Sequence, residues 1–129
     1  MSLENTSCIE HTALSGIVVI TMLDEKIRTP ERVQQIKDAI IKVVGANPCK
    51  SIIIDMSCVK FIGSMGFLAF LAVRRLPGIE NVILCNLDRE VAALFVLCRL
   101  ISAENAENAP LKTAASVSSA VELCDAMGG

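Results

Sequence analysis

The stretch that decides the fold is residues 51–68, which have the sequence SIIIDMSCVKFIGSMGFL. Its three consecutive isoleucines are typical of a short strand that is buried on both faces, and Asp55 follows them directly. After a turn, Gly63 and Ser64 introduce an apolar run that is long enough for a mostly buried helix, with Ser64 placed to act as its N-cap. A buried strand, a short connection and a helix in this order indicate one unit of a largely parallel α/β sheet.

The part of the chain before this stretch predicts a β-hairpin followed by an amphipathic helix. Residues 17–20 are all β-branched, follow a Ser-Gly turn and are expected to pair with a weaker strand at residues 8–14. Thr29 and Pro30 supply an N-cap and a proline suited to the first helical turn, and apolar residues then recur at helical spacing as far as Val43. A glycine and an Asn-Pro pair follow and end this helix.

The C-terminal half continues the alternation of strands and helices. Residues 82–85 predict a core strand, and Asp88 is placed to cap the next helix. Residues 111–115 predict a weak strand, after which Ser116 can cap a last helix. The complete order, β-β-α-β-α-β-α-β-α, predicts a single α/β domain over residues 1–129. We expect a mixed, mostly parallel sheet of four to five strands, with the first strand antiparallel at an edge and the helices packed on the sheet.

The spacing of apolar residues also predicts which side chains meet in the core. In each helix the candidates are the apolar positions that repeat every three or four residues, and in each strand they are the central positions. The predicted core residues are Val33, Ile36, Ile40, Ile53, Leu68, Leu71, Val82, Ile83, Leu94 and Phe95.

Composition and charge exclude several classes of protein. With 129 residues, of which 53% are hydrophobic and 20% charged, the chain can bury a core without a metal or disulfide staple. A net charge of −2 and the absence of Trp and Tyr argue against binding to nucleic acid. The longest apolar run within a predicted element, residues 67–73, is too short for direct membrane insertion, and the N-terminus lacks the pattern of a secretory signal. We therefore expect a soluble, cytoplasmic protein.

The cysteines do not have the spacing of a metal site. No two of them form a CxxC pair, and His11 is the only histidine, so we predict no bound metal. Because most lie in apolar segments of a chain without a secretory signal, we expect reduced thiols in or near the core and no disulfides. The six are Cys8, Cys49, Cys58, Cys85, Cys98 and Cys124.

The usual patterns of catalytic and cofactor sites are absent from the sequence. A catalytic triad would have to use His11, which lies in the weak first strand and is expected to be exposed. The two glycine-rich patterns that cradle nucleotide phosphates, GxGxxG at a helix start and GxxxxGK[ST], do not occur. The neighbouring carboxylates Asp24 and Glu25 are expected to lie in a solvated loop. We predict no catalytic residue and no cofactor. An enzyme or small-molecule-binding domain would need a polar pocket that the sequence does not reveal.

Residues 51–68 resemble the core of a STAS domain, the family of the bacterial anti-sigma factor antagonists and their relatives. The usual family motif at the helix start is Asp-Ser-[Ser/Thr]-Gly, and the sequence here is Gly-Ser-Met-Gly. Leu23-Asp24 before the capped helix, residues 82–88 and residues 94–100 resemble further segments of the family. The resemblance therefore spans nearly the whole chain and implies the STAS fold.

The resemblance assigns a role to Ser64, which occupies the position of the serine that is phosphorylated in the family. Gly63 replaces the preceding Asp, Met65 replaces the next hydroxyl residue, and Gly66 keeps the closing glycine. Arg99 stands where a glycine is usual near the end of the third helix.

The resemblance implies that the protein is a regulator of transcription and not an enzyme. Its partner would be a serine kinase-type anti-sigma factor, which it would sequester. The protein itself would be a monomer or a weak dimer. The same kinase would phosphorylate Ser64 and a metal-dependent serine phosphatase would reverse the modification. The phosphate would add about −1.5 to −2 charges to the partner surface and weaken binding there. The expected partner-binding residues are Asp24, Gly63, Ser64, Met65, Gly66 and Phe67.

Two alternatives to the switch follow from the same residues. Ser64 can be an N-cap only, in which case it contributes about 1 kcal/mol to helix stability and is not modified. The chain can also be a STAS scaffold, or an accessory subunit of a transporter, that has lost the switch together with the Asp and the second hydroxyl of the motif.

Overall fold

The computed structural model describes residues 8–101 and 109–126. Within these ranges the chain forms seven strands and four helices. In chain order they are β1 (Ile9–Leu14), β2 (Ile17–Met22), β3 (Lys26–Ile27), α1 (Pro30–Ala46), β4 (Ser51–Asp55), β5 (Phe61–Ile62), α2 (Ser64–Arg74), β6 (Asn81–Cys85), α3 (Arg89–Leu97), β7 (Lys112–Ala114) and α4 (Val117–Ala126).

Five of the strands form one mixed sheet with the order β1-β2-β4-β6-β7. The hairpin partner β1 is antiparallel to β2, and every other neighbouring pair in this sheet is parallel. The predicted α/β fold, with a mostly parallel sheet and its antiparallel strand at an edge, is confirmed. The structure adds a small parallel sheet of β3 and β5, which the sequence did not predict.

The side chains of the large sheet contribute to two separate cores. The larger core contains residues of α1, α2 and α3, among them Ile40, Phe70 and Phe95, packed with Ile54 of β4. The smaller core lies on the other face and includes Cys124 of α4. Three helices therefore cover one face of the sheet and α4 covers part of the other, because the residues of each buried strand alternate between the two faces.

Three of the predicted helix caps are confirmed. The Thr29 hydroxyl accepts a hydrogen bond from the backbone N–H of Arg32 at 3.2 Å, and Pro30 occupies the first turn of α1. The Asp88 carboxylate accepts from the N–H of Glu90, and the Ser116 hydroxyl accepts from the N–H of Ser119 at 3.1 Å. These caps satisfy backbone donors that the first helical turn leaves unpaired.

The predicted core is correct except on the outer sides of α2 and α3. Leu68 is 56% exposed and Leu94 is 37% exposed, so their assignment to the core is wrong, and Leu71 is partly buried. Helix α2 is apolar around most of its circumference, and its spacing therefore does not indicate which side meets the sheet. The other predicted core residues are buried, namely Val33, Ile36, Ile40, Ile53, Val82, Ile83 and Phe95.

The six cysteines are free thiols with different environments. Cys8, Cys85 and Cys124 are buried, whereas Cys58 and Cys98 are exposed, so the prediction that these two lie in or near the core is wrong. Burial raises the pKa of the Cys85 thiol to about 12, which keeps it protonated at neutral pH. No group of three or more His, Cys, Asp or Glu side chains in the described ranges could hold a metal ion. None of the described helices combines the length and the apolarity needed to span a membrane.

Candidate functional site

The start of α2 is held in place by the small sheet that precedes it. The backbone N–H groups of Lys60 and Phe61 both donate to the carbonyl oxygen of Glu25, at 2.8 and 3.2 Å. One step further, the N–H of Gly63 donates to the carbonyl oxygen of Ile27 at 2.8 Å. The backbone on either side of β5 is therefore fixed up to the residue that precedes Ser64.

Gly66 allows the first turn of α2 to lie directly on β5. A Cβ atom at this position would lie only 2.5 Å from Cγ1 and 2.7 Å from Cδ1 of Ile62, which is buried. Any larger residue would displace the buried Ile62 side chain, the strand or the helix, so the glycine is explained by packing. Gly63 has more room, because a Cβ there would meet its nearest neighbour, the Ile27 carbonyl oxygen, at 3.7 Å.

Ser64 is the first residue of α2 and is not its N-cap, so the capping interpretation is wrong. The N-cap is Gly63, with an extended backbone (φ −79°, ψ 166°), and the cap has no side-chain hydrogen bond. The Ser64 side chain is exposed, and among the described residues its hydroxyl has no hydrogen-bond partner. Because the helix does not use this hydroxyl, it is free to react or to contact another molecule.

An apolar groove lies beside Ser64, between α1 and α2. Met65 is 45% exposed and Leu68 is 56% exposed, and both line the groove, which has a volume of about 200 Å³. The facing side of α1 contributes Lys37 to the lining. The remaining lining residues are Pro30, Val33, Gln34 and Ala69.

Phe67 anchors α2 to α3. Its ring meets the ring of Phe95 edge to face, with the centroids 4.7 Å apart, and only 7% of the residue is exposed. The ring of Phe70 packs on the same Phe95 with a centroid distance of 5.7 Å. Phe67 therefore positions the exposed side of α2 and is itself covered.

Asp24 does not lie free in a solvated loop, because it forms a two-point ion pair with Arg32. The Nε and Nη2 atoms of Arg32 donate to its two carboxylate oxygens at 2.6 and 2.7 Å. The hydrogen bonds to Asp24 raise the pKa of Arg32 above its usual value. The pair ties the loop after β2 to the first turn of α1, so the negative charge of Asp24 is largely neutralised.

Sequence patterns missed a second polar cluster, at the carboxyl ends of β4 and β6. The Asp55 carboxylate accepts hydrogen bonds from the backbone N–H of Ser57 and from Nδ2 of Asn86, both at 3.0 Å. Asn86 has a left-handed backbone (φ 56°), a conformation that Asn tolerates better than most residues. The available signal was an Asp after one buried strand and an Asn after its neighbour, since these ends meet in a parallel sheet.

The six expected partner-binding residues therefore fall into three groups. Ser64 and Met65 are exposed at the start of α2, next to the half-buried Gly63. Gly66 and Phe67 are buried beneath them and set the position of the helix, whereas Asp24 is paired with Arg32. The exposed surface at the start of α2 thus consists of one serine hydroxyl next to apolar side chains.

Comparison with protein-family models matches residues 12–120 to the STAS domain. A variant of RsbS from Moorella thermoacetica gives a TM-score of 0.71 at 14% identity, covering 95% of this chain and 98% of that one. The anti-sigma factor antagonist SpoIIAA in its unphosphorylated form gives a TM-score of 0.61 at 18% identity, covering 94% and 98%.

The same fold also occurs as part of a much larger protein. A murine Solute Carrier 26 anion transporter in the inward-facing state gives a TM-score of 0.70 at 19% identity, and the match covers 86% of this chain and 18% of the transporter. Comparison with curated protein sequences gives no significant match. At these identities the structural likenesses show the fold, and the family model shows the family.

Proposed function

Since the chain belongs to the STAS domain family, we propose that it is a regulatory, protein-binding anti-sigma factor antagonist without catalytic activity. Its partner is a serine kinase-type anti-sigma factor, whose capture releases a sigma factor. The kinase transfers the terminal phosphoryl group of ATP to the Ser64 hydroxyl, releasing ADP and a proton, and this ends binding. A metal-dependent serine phosphatase restores the free serine. The proposal places the protein in the bacterial cytoplasm.

The observation that carries the proposal is the position of the Ser64 hydroxyl. It is exposed and unpaired among the described residues, and it stands beside the exposed side chains of Met65 and Leu68. A partner that packs on these side chains would have to bury a phosphate carrying about −1.5 to −2 charges at the same place. Burying such a highly charged group in an apolar contact is unfavourable, so phosphorylation would weaken the complex.

The fold itself should tolerate a phosphate on Ser64. The first turn of a helix presents unpaired N–H groups and the positive end of the helix dipole, both of which favour an anion. A modification at this residue would therefore change the surface at the start of α2 while leaving the packing of Gly66 and Phe67 as it is.

The proposal is tested by measuring whether the chain is phosphorylated and whether the phosphate is attached to Ser64. The full chain is incubated with ATP and the kinase-type anti-sigma factors of the source organism, and its intact mass is measured. We expect the addition of one phosphate group to the native chain and to Ser57→Ala, a matched change of another exposed serine. We expect no addition to Ser64→Ala. An unmodified native chain, or equal modification of Ser64→Ala, contradicts the proposal.

One alternative function, a STAS scaffold or transporter-accessory subunit, is favoured by the departures from the usual motif at Gly63 and Met65. The fold similarity to part of an anion transporter is compatible with it. A double variant, Gly63→Asp with Met65→Ser, distinguishes the two functions. It should be phosphorylated faster than the native chain if the switch is present with a weakened recognition motif. Absence of phosphorylation in both proteins supports the scaffold.

A further inference from the structure

Arg28 lies beside the residue that precedes Ser64. In the small sheet, Lys26 pairs with Phe61 and Ile27 pairs with Ile62, so the next residues along the two segments are Arg28 and Gly63. A Cβ atom on Gly63 would lie 3.8 Å from the carbonyl oxygen of Arg28 and 4.0 Å from its Cα atom. The backbone of Arg28 is therefore a direct neighbour of Gly63, and Ser64 is one residue further, about 3.8 Å along the chain.

The guanidinium group of Arg28 has no carboxylate partner among the described residues. It rests on the ring of Phe61, with its central carbon 5.7 Å from the ring centroid. Both residues are exposed, so water screens this cation–π contact. The ion pairs found in the described part of the chain join Arg32 to Asp24 and Lys60 to Asp88, and neither involves Arg28.

From this arrangement we propose that Arg28 binds the phosphate of phosphorylated Ser64. The inference rests on the proposed switch and adds the residue that receives the phosphate within the chain. A guanidinium group donates two parallel hydrogen bonds to phosphate oxygens, and such charge-assisted contacts are stronger than a screened contact with an aromatic ring. On phosphorylation the side chain turns from Phe61 to the phosphate, and the exposed face of the ring is uncovered.

The glycine at position 63 is what leaves Arg28 available. The first atom of a side chain at this position would already be in ordinary contact with the Arg28 backbone, at 3.8–4.0 Å. An aspartate there would present a carboxylate to the guanidinium group and compete with the phosphate. Glycine adds neither charge nor bulk, so nothing at position 63 neutralises the positive charge of Arg28.

The pKa of the phosphate itself tests this contact. Phosphoserine is placed at position 64 of the full chain during translation, with a suppressor tRNA that carries phosphoserine, and the second pKa of the phosphate is measured by ³¹P NMR titration. We expect a value below the usual value of about 6, because a nearby cation favours the doubly charged phosphate. In Arg28→Gln we expect this pKa to rise by about 0.5 unit or more, and in Gly63→Asp to rise as well.

Arg75→Gln is the matched control, since Arg75 is an exposed arginine at the other end of the same helix. The inference predicts no shift of the phosphate pKa in this variant. Equal pKa values in the native chain and in Arg28→Gln, or an equal shift in Arg75→Gln, would overturn the inference. Because the phosphoserine is introduced without a kinase, this result is independent of whether a kinase modifies Ser64, which the mass measurement decides.

Discussion

Thr29 and Ser64 both lie at the start of a helix, yet their hydroxyl groups have different surroundings. The Thr29 hydroxyl accepts a hydrogen bond from the N–H of Arg32, whereas the Ser64 hydroxyl has no hydrogen-bond partner among the described residues. We therefore expect Thr29→Ala to lower the free energy of unfolding by about 1 kcal/mol and Ser64→Ala to change it by about 0.3 kcal/mol at most. Urea denaturation measures both. An equal loss in the two variants would show that Ser64 stabilises the helix after all.

Arg99 occupies a backbone position that suits glycine. Its φ of 61° is left-handed, and it follows α3 in a Schellman motif, where the N–H of Arg99 donates to Val96 and that of Leu100 donates to Phe95, both at 3.0 Å. This supports the match of Arg99 to the glycine position that the resemblance indicated.

Replacing Arg99 with glycine should therefore stabilise the protein. An L-residue in this conformation is strained by about 1–2 kcal/mol, and part of the gain is lost because glycine has more freedom in the unfolded chain. We expect Arg99→Gly to raise the free energy of unfolding by about 0.5–1 kcal/mol. The control is Arg75→Gly, where φ is −89° and glycine should only destabilise. Thermal or urea unfolding measures both variants. If Arg99→Gly is not more stable than the native chain, this explanation is contradicted.

At the scale of secondary structure, the contact between α2 and β5 depends on one glycine. Gly66→Ala would place a methyl group 2.5 Å from Cγ1 of Ile62, so the buried Ile62 side chain, the strand or the helix has to move. We expect a loss of about 1–3 kcal/mol, the usual cost of overpacking. Gly63→Ala, with its nearest contact at 3.7 Å, is the control; its expected loss is smaller and comes from alanine being a poorer N-cap than glycine. If urea unfolding gives the same midpoint for Gly66→Ala as for the native chain, the atoms around position 66 can move aside without cost. The contact between α2 and β5 would then not require glycine.

Sequence patterns predicted the elements that carry their own signal. The strands β2, β4 and β6 are apolar runs, and the caps at Thr29, Asp88 and Ser116 depend on chemistry within a few residues. The strands β3 and β5 have two residues each, which is too few to show a period of two. They could not be predicted because they are strands only through their pairing with each other, and the sequence carries no local signal for that pairing.

The sequence predicted only the part of the candidate site that has a local pattern. The resemblance located Ser64, but only the structure shows that the N-cap is Gly63, whose backbone is extended and whose N–H donates to Ile27. The contacts of Asp24 with Arg32 and of Arg28 with Phe61 span eight and more residues, and no local pattern indicates them. Tertiary structure supplied these contacts.

At the scale of the whole molecule, the inner and outer sides of α2 separate packing from the candidate site. The three helices α1, α2 and α3 share the larger core, and the ring contacts of Phe67 and Phe70 with Phe95 fix α2 within this layer. The outer side of α2, with Ser64, Met65 and Leu68, takes no part in either core. A change of charge there should alter binding without altering the fold.

The Ser64→Asp variant tests this independence of surface and fold. Aspartate at the first turn of a helix is favoured by the helix dipole, and the side chain is exposed. We expect the circular dichroism spectrum of the native chain and a free energy of unfolding within about 0.5 kcal/mol of it. A loss of well over 1 kcal/mol would mean that charge at position 64 destabilises the fold. A weaker affinity for the partner could then not be assigned to the binding surface.

The affinity of the protein for a kinase-type anti-sigma factor, with and without phosphate on Ser64, tests the central claim most directly. Isothermal titration calorimetry is performed with the native chain, with the chain that carries phosphoserine at position 64, and with Ser57→Asp as a control for charge elsewhere on the surface. The account predicts tight binding of the native chain and of the control. The phosphorylated chain should bind at least about ten-fold more weakly, which corresponds to about 1.4 kcal/mol. Equal dissociation constants for the native and the phosphorylated chain would contradict the account.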